Sequence, residues 1–519
     1  MPPLPLEPSA ERLVYNLRHL PASPGGGPVY HVADIGAGFY FAYEQLRNMA
    51  EYREHHLLLR SAIERYLWRY VRLEELEPVA ADLVIELTQA GYLKNDSVAL
   101  ATIEAIDDQL EQLADLALAL TTEAAADEVT TWIKQYASVK IESLLNPDPR
   151  TGAFMQYAYE HYFTGIDRTA TVGADVPAQQ YRVALFCAIQ NTIFKSDVAT
   201  TRYHCLTTSL GPTLSPEQAK VIVHLNQQID DLYQDRLTNR LSRLIGRYGA
   251  PMRILRELVF DGTAAANTLE NRSATIGKVK LLCASEYERV HANLNQRIGK
   301  SILFVLITKT LIGLSIEVPY DLAVYGAVSF KPLLINILFP PLYMAALGSR
   351  VTTPSQQNTE MIANFADRML YVGVSQPIIY RPRKRRLSSG LNFIFSTIYA
   401  LGFLVSIMAL VWILELLGFN LVNGIIFFMF FSAVSFLGLR LRRSAHELQL
   451  LDEHHGFLQA FLDFLSAPFV AIGHWLSDRY AKANIISLIL DIAIEMPFKS
   501  FIRLARQWIR FLRDKQDEL

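Results

Sequence analysis

Hydrophobic and polar residues follow one pattern up to about residue 300 and a different one after it. In the first part, apolar positions recur every three or four residues over successive segments, which is typical of amphipathic helices, and strand-like alternation is rare. In the second part four long apolar segments follow one another: SILFVLITKTLIGLSIEV, LAVYGAVSFKPLLINILFPPLYMAALG, LNFIFSTIYALGFLVSIMALVWIL and LGFNLVNGIIFFMFFSAVSFLGL. The last two are each close to the roughly 20 residues needed to cross about 30 Å of hydrocarbon. The pattern predicts an all-α, polytopic α-helical integral membrane protein with a large N-terminal helical cytosolic domain.

The change of pattern divides the chain into five parts. The first is a mostly helical cytosolic domain over residues 1–300, with sub-boundaries at the turn-rich stretches 146–152 and 171–177. The others are a first transmembrane hairpin at 301–349, a basic cytosolic loop at 350–390, a second transmembrane hairpin at 391–439, and cytosolic or interfacial amphipathic helices at 440–519. Within the first hairpin, the short polar stretch from Pro319 to Asp321 predicts the turn.

Basic residues determine the predicted orientation, because short loops rich in Lys and Arg stay on the cytoplasmic side of a membrane. Such groups precede the first and third spans and follow the second and fourth, whereas the two opposite turns carry only Lys331. The residues of these groups are Arg297, Lys300, Arg350, Arg381, Arg383, Lys384, Arg385, Arg386, Arg440, Arg442 and Arg443. We therefore predict a multi-pass protein of the cell membrane with four spans and both termini in the cytoplasm.

The C-terminal part contains two further segments that can meet the membrane. Residues 456–476 are almost long enough for a fifth span, but Asp463, Pro468 and His474 interrupt them, and a crossing would place the basic tail outside. We predict that this segment lies along the inner surface or dips into it. The tail helix after Pro497 has a basic face that suits the anionic headgroups of the inner leaflet, or else its apolar face packs on the cytosolic domain. The residues of the basic face are Lys499, Arg503, Arg506, Arg510 and Arg513.

Composition agrees with a membrane protein and does not indicate a nucleic-acid partner, a disulfide framework or a zinc site. Hydrophobic residues make up 51% of the 519 residues, and the formal net charge is only −2, so no global argument for a nucleic-acid partner follows. The cluster RPRKRR, residues 381–386, lies directly before the third span and has no aromatic partners for base stacking. We interpret its basic residues as headgroup contacts and predict no nucleic-acid partner. The three widely spaced cysteines indicate neither a disulfide framework nor a zinc site, and no cleavable signal peptide is evident.

A stretch near the N-terminus raises the question of a cofactor. In VYHVADIGAGFYFAYEQL, Asp34 shortly precedes a G-x-G that follows an apolar run. The part from Ala33 to Tyr40 resembles the glycine motif of methyltransferases, which would imply a cofactor held between a strand and a helix. It departs from the motif at Tyr40, which stands in place of a further glycine, and the alternating strands that such a fold needs are missing. We therefore interpret Asp34 as a helix cap and predict no cofactor.

Three charged residues lie inside or near the ends of apolar segments and are candidates for function. Lys309 lies well inside the first span, where a charge costs about 2.5 to 3.5 kcal/mol, so it either faces a partner or a wet cavity, or snorkels towards the inner headgroups. Glu317 lies two turns farther along, too far for a direct helical neighbour pair. Both Glu317 and Glu415 lie near the outer interface, where water alone can solvate them.

A proline pair interrupts the second span. Pro340 and Pro341 remove two backbone donors from its middle, which predicts a kink. Broken helices line binding sites in some transporters, whereas many proline kinks have no such role. We favour the structural interpretation.

Motifs for metal binding and catalysis are missing from the sequence. Adjacent histidines at His55, His56 and at His454, His455 point about 100° apart on a helix, so neither pair gives the two-ligand face of an i, i+4 spacing. No phosphate-binding loop with a following Lys, no G-x-S-x-G and no H-E-x-x-H occurs. We predict no metal site and no catalytic residues.

Three functions agree with these observations. The first is a membrane-anchored cytosolic scaffold or interaction protein without a recognisable catalytic site, which binds a protein partner through residues 1–300. The alternative is a component of a small transporter or channel that uses Lys309 and the Pro340–Pro341 break, and it would need a homo-oligomer because four spans leave little room for a path. The third is a membrane-bound enzyme of unrecognised type.

Overall fold

The computed structural model describes most of the chain, and every structural statement below concerns the residues that it describes. These are 5–20, 27–32, 38, 40–41, 44, 47–48, 55–73, 79–173, 175–262, 264–349, 354–373, 379–381, 389–450 and 457–483. Over these ranges the structure is 82% helical and contains isolated β-bridges but no strand. The predicted all-α fold class is confirmed. The resemblance at Ala33 to Tyr40 and the proposed cap Asp34 lie largely outside the described residues.

A helical body forms the part before residue 301. Its helices in the described ranges are α1 (Pro8–Arg18), α2 (Leu58–Leu73), α3 (Val79–Gln89), α4 (Leu100–Leu120), α5 (Ala126–Leu145), α6 (Pro149–Gly165), α7 (Arg168–Val172), α8 (Ala178–Ile189), α9 (Val198–Leu210), α10 (Ala219–Leu232), α11 (Arg236–Arg247), α12 (Ala250–Phe260) and α13 (Ala265–Glu270). Their apolar stripes face inward and form two cores. The first core lies among α2 to α5, α9 and α10, and the second lies mainly among α1, α6, α8 and α11 to α13.

A single long helix connects the body to the apolar part of the chain. Helix α14 (Arg272–Ile312) begins where the Asn271 side chain accepts a hydrogen bond from the backbone of Ala274. Val279 and Cys283 near its start are buried in the second core of the body. The same helix then enters the apolar sequence after residue 300, so the two parts share one continuous element.

Four helical stretches are long and apolar enough to cross a membrane. The first is the C-terminal part of α14 with a π-helical segment (Gly313–Glu317) and α15 (Val318–Tyr325), and the others are α16 (Phe330–Gly348), α18 (Ser389–Leu416) and α19 (Leu421–His446). The predicted turn at Pro319 to Asp321 is wrong, because the helix continues to Tyr325 and the chain reverses after Gly326, whose φ is +68°. Pro319 does not end the helix: it lies just after the π-helical segment Gly313–Glu317, where the regular i to i−4 bonding is already interrupted.

The segment between the two hairpins contributes a helix to the body. Within 350–390, for which we predicted a basic loop, α17 (Gln356–Leu370) starts at the capping residue Ser355. Its buried face, which includes Ile362 and Met369, joins the second core. This core therefore contains residues from both sides of the first hairpin.

The last described helix packs among the apolar helices. Helix α20 (Phe457–Ala483) contacts both α18 and α19. The Phe469 ring lies 4.6 Å from the ring of Phe431, which is about midway along the apolar part of α19, and Gly473 lies against the Ser432 carbonyl. The segment predicted to lie along the inner surface or to dip into it thus packs beside the middle of α19. The predicted tail helix lies outside the described residues.

Candidate functional site

Polar side chains from five parts of the apolar region contact one another, and we call them the polar network. They come from α14, the π-helical segment, α15, α16 and the start of α19. Their residues are Lys309, Glu317, Asp321, Asn336, Asn420 and Asn423. Within an apolar bundle each of these groups is costly to bury without a partner, so their contacts determine how the four helices can pack.

Lys309 and Glu317 form a buried ion pair. Lys309 Nζ lies 3.0 Å from Glu317 Oε1, and the two side chains are 0% and 1% exposed. The expectation that they are too far apart for direct contact is therefore wrong. At about 100° per residue, eight α-helical residues end some 80° past two full turns, but the π-helical segment Gly313–Glu317 turns less per residue and brings Glu317 back towards the Lys309 face. The Lys309 ammonium also lies 4.6 Å from the centre of the Phe430 ring.

Asn336 connects this ion pair to the second hairpin. Its Nδ2 donates to Glu317 Oε2 at 2.7 Å and to the backbone carbonyl of Asn423 at 3.2 Å. One amide group therefore joins the π-helical segment, α16 and α19. Gly313 allows this approach, because a Cβ at that position would lie 3.3 Å from Leu333 Cδ1 of α16.

Asp321 makes a second connection between the hairpins. Its Oδ1 accepts a hydrogen bond from Asn420 Nδ2 at 2.7 Å, and its Oδ2 accepts one from the backbone N–H of Ser329 at 3.2 Å. Asn420 is also the N-cap of α19, since its side chain accepts from the backbone of Asn423 at 2.8 Å. Asp321 thus holds the turn of the first hairpin against the turn of the second.

The polar network contains acceptors that no described residue satisfies. The Oδ1 atoms of Asn336 and Asn423 are buried without a hydrogen-bond partner. With Lys309 and both carboxylates ionised, the network carries one negative charge in excess. Unsatisfied buried acceptors beside carboxylates are suited to accept from a proton donor or a small cation.

The proline pair lies one turn from Asn336. Helix α16 continues through Pro340 and Pro341, which are both buried and cannot donate to the carbonyls of Asn336 and Ile337. The backbone next to the network therefore carries two carbonyls without their usual helical partners. The proline pair thus lies inside a continuous helix, one turn from the Asn336 that bonds to Glu317, and the predicted kink stays a prediction.

The other candidates lie apart from the network. Glu415 is exposed near the end of α18. Arg381, predicted to contact headgroups, places its Nε 3.1 Å from Asp167 Oδ2 of the body, and its side chain is 66% exposed. The remaining predicted headgroup contacts lie outside the described residues: Arg383, Lys384, Arg385, Arg386, Lys499, Arg503, Arg506, Arg510 and Arg513.

Sequence analysis missed four members of the network. Asp321 was assigned to a turn, and Asn336, Asn420 and Asn423 were passed over within apolar segments. The signal was available, because these are polar side chains inside stretches long enough to span a membrane, where such groups need partners. Their pairing across two hairpins, however, depends on contacts about 100 residues apart along the chain.

The three cysteines of the body are buried thiols. Burial raises the pKa of Cys205 to about 11 and that of Cys283 to about 12, and it also raises the pKa of Cys187, so all three thiols are protonated at neutral pH. Among the described residues no group of three or more His, Cys, Asp and Glu could hold a metal ion. His56 is exposed, and the pair His454 and His455 lies outside the described ranges.

Comparison with known proteins assigns no family to the chain, so the proposals below rest on the geometry of the structure. No protein-family model matches the chain, and neither the curated proteins nor the solved structures gave a match.

Proposed function

We propose that the protein is a membrane-anchored scaffold whose helical body binds a protein partner. The observation that carries the proposal is the shared core: α14 and α17, on either side of the first hairpin, both contribute to the second core of the body. A body built around the base of a hairpin is held in a fixed position relative to the bilayer. Such an arrangement suits a protein that presents a binding surface at a membrane.

In the proposed orientation the chain crosses the cell membrane four times, and the body and both termini lie in the cytoplasm. Four candidate spans support it, and so do the basic residues that flank them on the side of the body, such as Arg297, Lys300 and Arg381. Anionic headgroups of the inner leaflet would then lie next to the body. The basic tail after Pro497 is proposed to bind the same surface.

Cross-linking in native membranes tests the scaffold proposal. The full chain is cross-linked, extracted in mild detergent and analysed by mass spectrometry. We expect one stoichiometric partner with cross-links to residues 1–300, and the same partner with the variant Lys309→Met/Glu317→Gln, whose body is unchanged. Cross-links only between copies of this chain, all through the apolar helices, would contradict the proposal.

A second candidate function is a component of a small transporter or channel. It is favoured by the burial of Lys309 and Glu317 beside unsatisfied acceptors of Asn336 and Asn423. The test is proton or sodium flux into vesicles that contain the purified full chain. Flux that Lys309→Met/Glu317→Gln, which removes both charges of the pair together, abolishes and that Lys331→Leu, at an exposed lysine of the same hairpin, leaves intact would support transport over scaffolding.

A further inference from the structure

A cavity of about 280 Å³ lies where the helical body meets the base of the apolar helices. Its walls come from five places: His56 in the short 3₁₀ turn His55–Leu57, the end of the π-helical segment Gln190–Phe194 with Lys195, helix α12, one face of α14, and the residues just after α19. It is separate from the polar network, which begins farther along α14 at Lys309. The cavity therefore belongs neither to the ion pair nor to the proline pair.

The α14 wall leads directly to the apolar sequence. Its residues recur at steps of three and four, so they lie on one helical face, and they are Glu286, Arg289, Val290, Asn293, Leu294 and Arg297. Arg297 lies four residues, or about 6 Å, before the apolar segment that starts at Ser301. In the proposed membrane orientation, Arg297 lies at the level of the lipid headgroups.

Positive charge exceeds negative charge in the cavity wall. Five cations, Lys195, Arg253, Arg256, Arg289 and Arg297, face three carboxylates, Glu257, Glu286 and Glu447. Ion pairs join Lys195 to Glu447 at 2.7 Å, Arg289 to Glu286 at 2.7 Å and Arg256 to Glu257 at 3.4 Å. The wall therefore carries two positive charges in excess. Arg253 shares the Glu447 carboxylate with Lys195, since its Nη1 lies 3.9 Å from Glu447 Oε2, and Arg297 forms no ion pair among the described residues.

These two arginines differ in how they are held. Arg253 is fixed by bonds from Nη1 to the Glu447 carbonyl at 2.6 Å and from Nη2 to the Thr192 carbonyl at 3.0 Å, and its buried Nε has no acceptor among the described residues. Arg297 is exposed at the membrane side of the cavity. A fixed guanidinium inside and an exposed one at the edge are suited to hold the oxygens of a phosphate group.

The backbone at Lys195 supports a site here. Lys195 follows the π-helical segment with a φ of +53°, in the left-handed region that a residue with a side chain rarely adopts. Such conformations and π-helical segments occur frequently at functional sites. In this case they place the Lys195 ammonium in the cavity wall.

We propose that this cavity binds a phosphate-bearing anion, either the headgroup of an anionic lipid or a free phosphate. The apolar wall residues Val290 and Leu294 lie beside the charged ones on α14, and they suit the acyl chains that adjoin a lipid headgroup. The two guanidinium groups bind the phosphate oxygens, and Lys195 adds a third cation. The site would operate whichever function the polar network serves.

The proposal is tested by calorimetric titration of the purified full chain in a neutral detergent. The probes are dihexanoyl phosphatidic acid, dihexanoyl phosphatidylcholine and inorganic phosphate. We expect phosphatidic acid to bind, and Arg297→Gln to weaken that binding about fivefold, the effect of losing one cation near a headgroup. Arg297→Lys, which keeps the charge, should recover part of the loss.

The matched control is Lys300→Gln, which removes an exposed cation from the same helix outside the cavity wall and should leave the affinity unchanged. Equal binding of inorganic phosphate and phosphatidic acid would identify a free anion as the ligand, and binding of the lipid alone would identify a headgroup. The proposal is overturned if neither phosphatidic acid nor inorganic phosphate binds, or if zwitterionic phosphatidylcholine binds as tightly as phosphatidic acid. It is overturned equally if Arg297→Gln and Lys300→Gln have the same effect.

Discussion

Lys309 and Glu317 show how two charges can be buried in an apolar bundle. Each alone would leave an uncompensated charge at a position with almost no solvent exposure. Together, with Asn336 on the second carboxylate oxygen, they satisfy most of one another's hydrogen-bonding needs. Removal of one partner should therefore be more harmful than removal of both.

Single and double replacements test this pairing. Lys309→Met and Glu317→Gln should each destabilise the protein by about 3 to 5 kcal/mol, because each leaves a buried charge without its partner. The double variant should recover most of the loss. Unfolding midpoints in detergent measure the effect, with Lys331→Met, at an exposed lysine of the same hairpin, as the control. Additive effects of the two replacements would contradict the ion pair.

His161 in the body predicts a pH dependence of stability. Burial lowers the pKa of His161 from 6.5 to about 4, and its Nε2 lies 2.9 Å from the hydroxyl of Tyr380. Below pH 6.5 the unfolded chain binds a proton that the folded chain does not, so stability falls as the pH drops from 6.5 to 4 and then levels off. The loss from this residue is about 3 kcal/mol.

Comparison with His161→Gln isolates that contribution, because His204, whose pKa burial also lowers to about 4, is present in both proteins. The free energy of unfolding of each is measured from pH 7.5 to 4. As the pH falls from 6.5 to 4, the free energy of unfolding of the unaltered protein should decrease by more than that of His161→Gln. A difference that is constant with pH would contradict the assignment.

At the scale of helices, close backbone contacts determine how α20 packs. A Cβ at Gly473 would lie 2.2 Å from the Ser432 carbonyl oxygen, and one at Gly402 would lie 2.1 Å from the Phe464 ring. Backbone cannot move aside as a flexible side chain can, so Gly473 is the more sensitive position. Small residues of this kind allow helices to approach closely in membranes.

Replacement of Gly473 by Ala should therefore separate α20 from α19. The matched control is Gly424→Ala, at a glycine of α19 where an added Cβ meets nothing within 4 Å. The readout is cross-linking between Phe431→Cys and Phe469→Cys by a short bifunctional thiol reagent, which fills the gap left by the two rings, whose centres are 4.6 Å apart in the native protein. We expect Gly473→Ala to reduce cross-linking severalfold and Gly424→Ala to leave it unchanged. Equal cross-linking in both would show that the predicted close contact is not made.

The helices were more predictable from sequence than their connections. Periodicity and length identified the helical body and the four apolar stretches, because these signals are local to each segment. The turn of the first hairpin was misplaced because Asp321, a residue that favours turns, is instead satisfied inside the bundle by Asn420. Likewise, the Lys309–Glu317 contact depends on a π-helical segment, and no local pattern of residues predicts that segment.

At the scale of the whole molecule, the body and the apolar helices form one connected structure. Helix α14 runs through both, and α17 returns from the first hairpin to the second core of the body. The Leu448 carbonyl and the Leu450 N–H, after α19, bond to the side chain of Asn358 on α17. Both hairpins are therefore attached to the body at their bases, which a pattern of separate segments cannot reveal.

If the two hairpins hold the helical body on one face of a membrane, as we propose, the hairpin turns lie on the opposite face. Cysteine labelling in intact cells tests this placement most directly, with single cysteines at three exposed positions: Ala327→Cys and Leu421→Cys at the hairpin turns and Leu118→Cys on the body. The native cysteines are buried and provide a low background. A membrane-impermeant thiol reagent should label positions 327 and 421 at once, and position 118 only after the membrane is permeabilised. Labelling of position 118 in intact cells, or protection of either turn, would contradict this placement of the body and the turns.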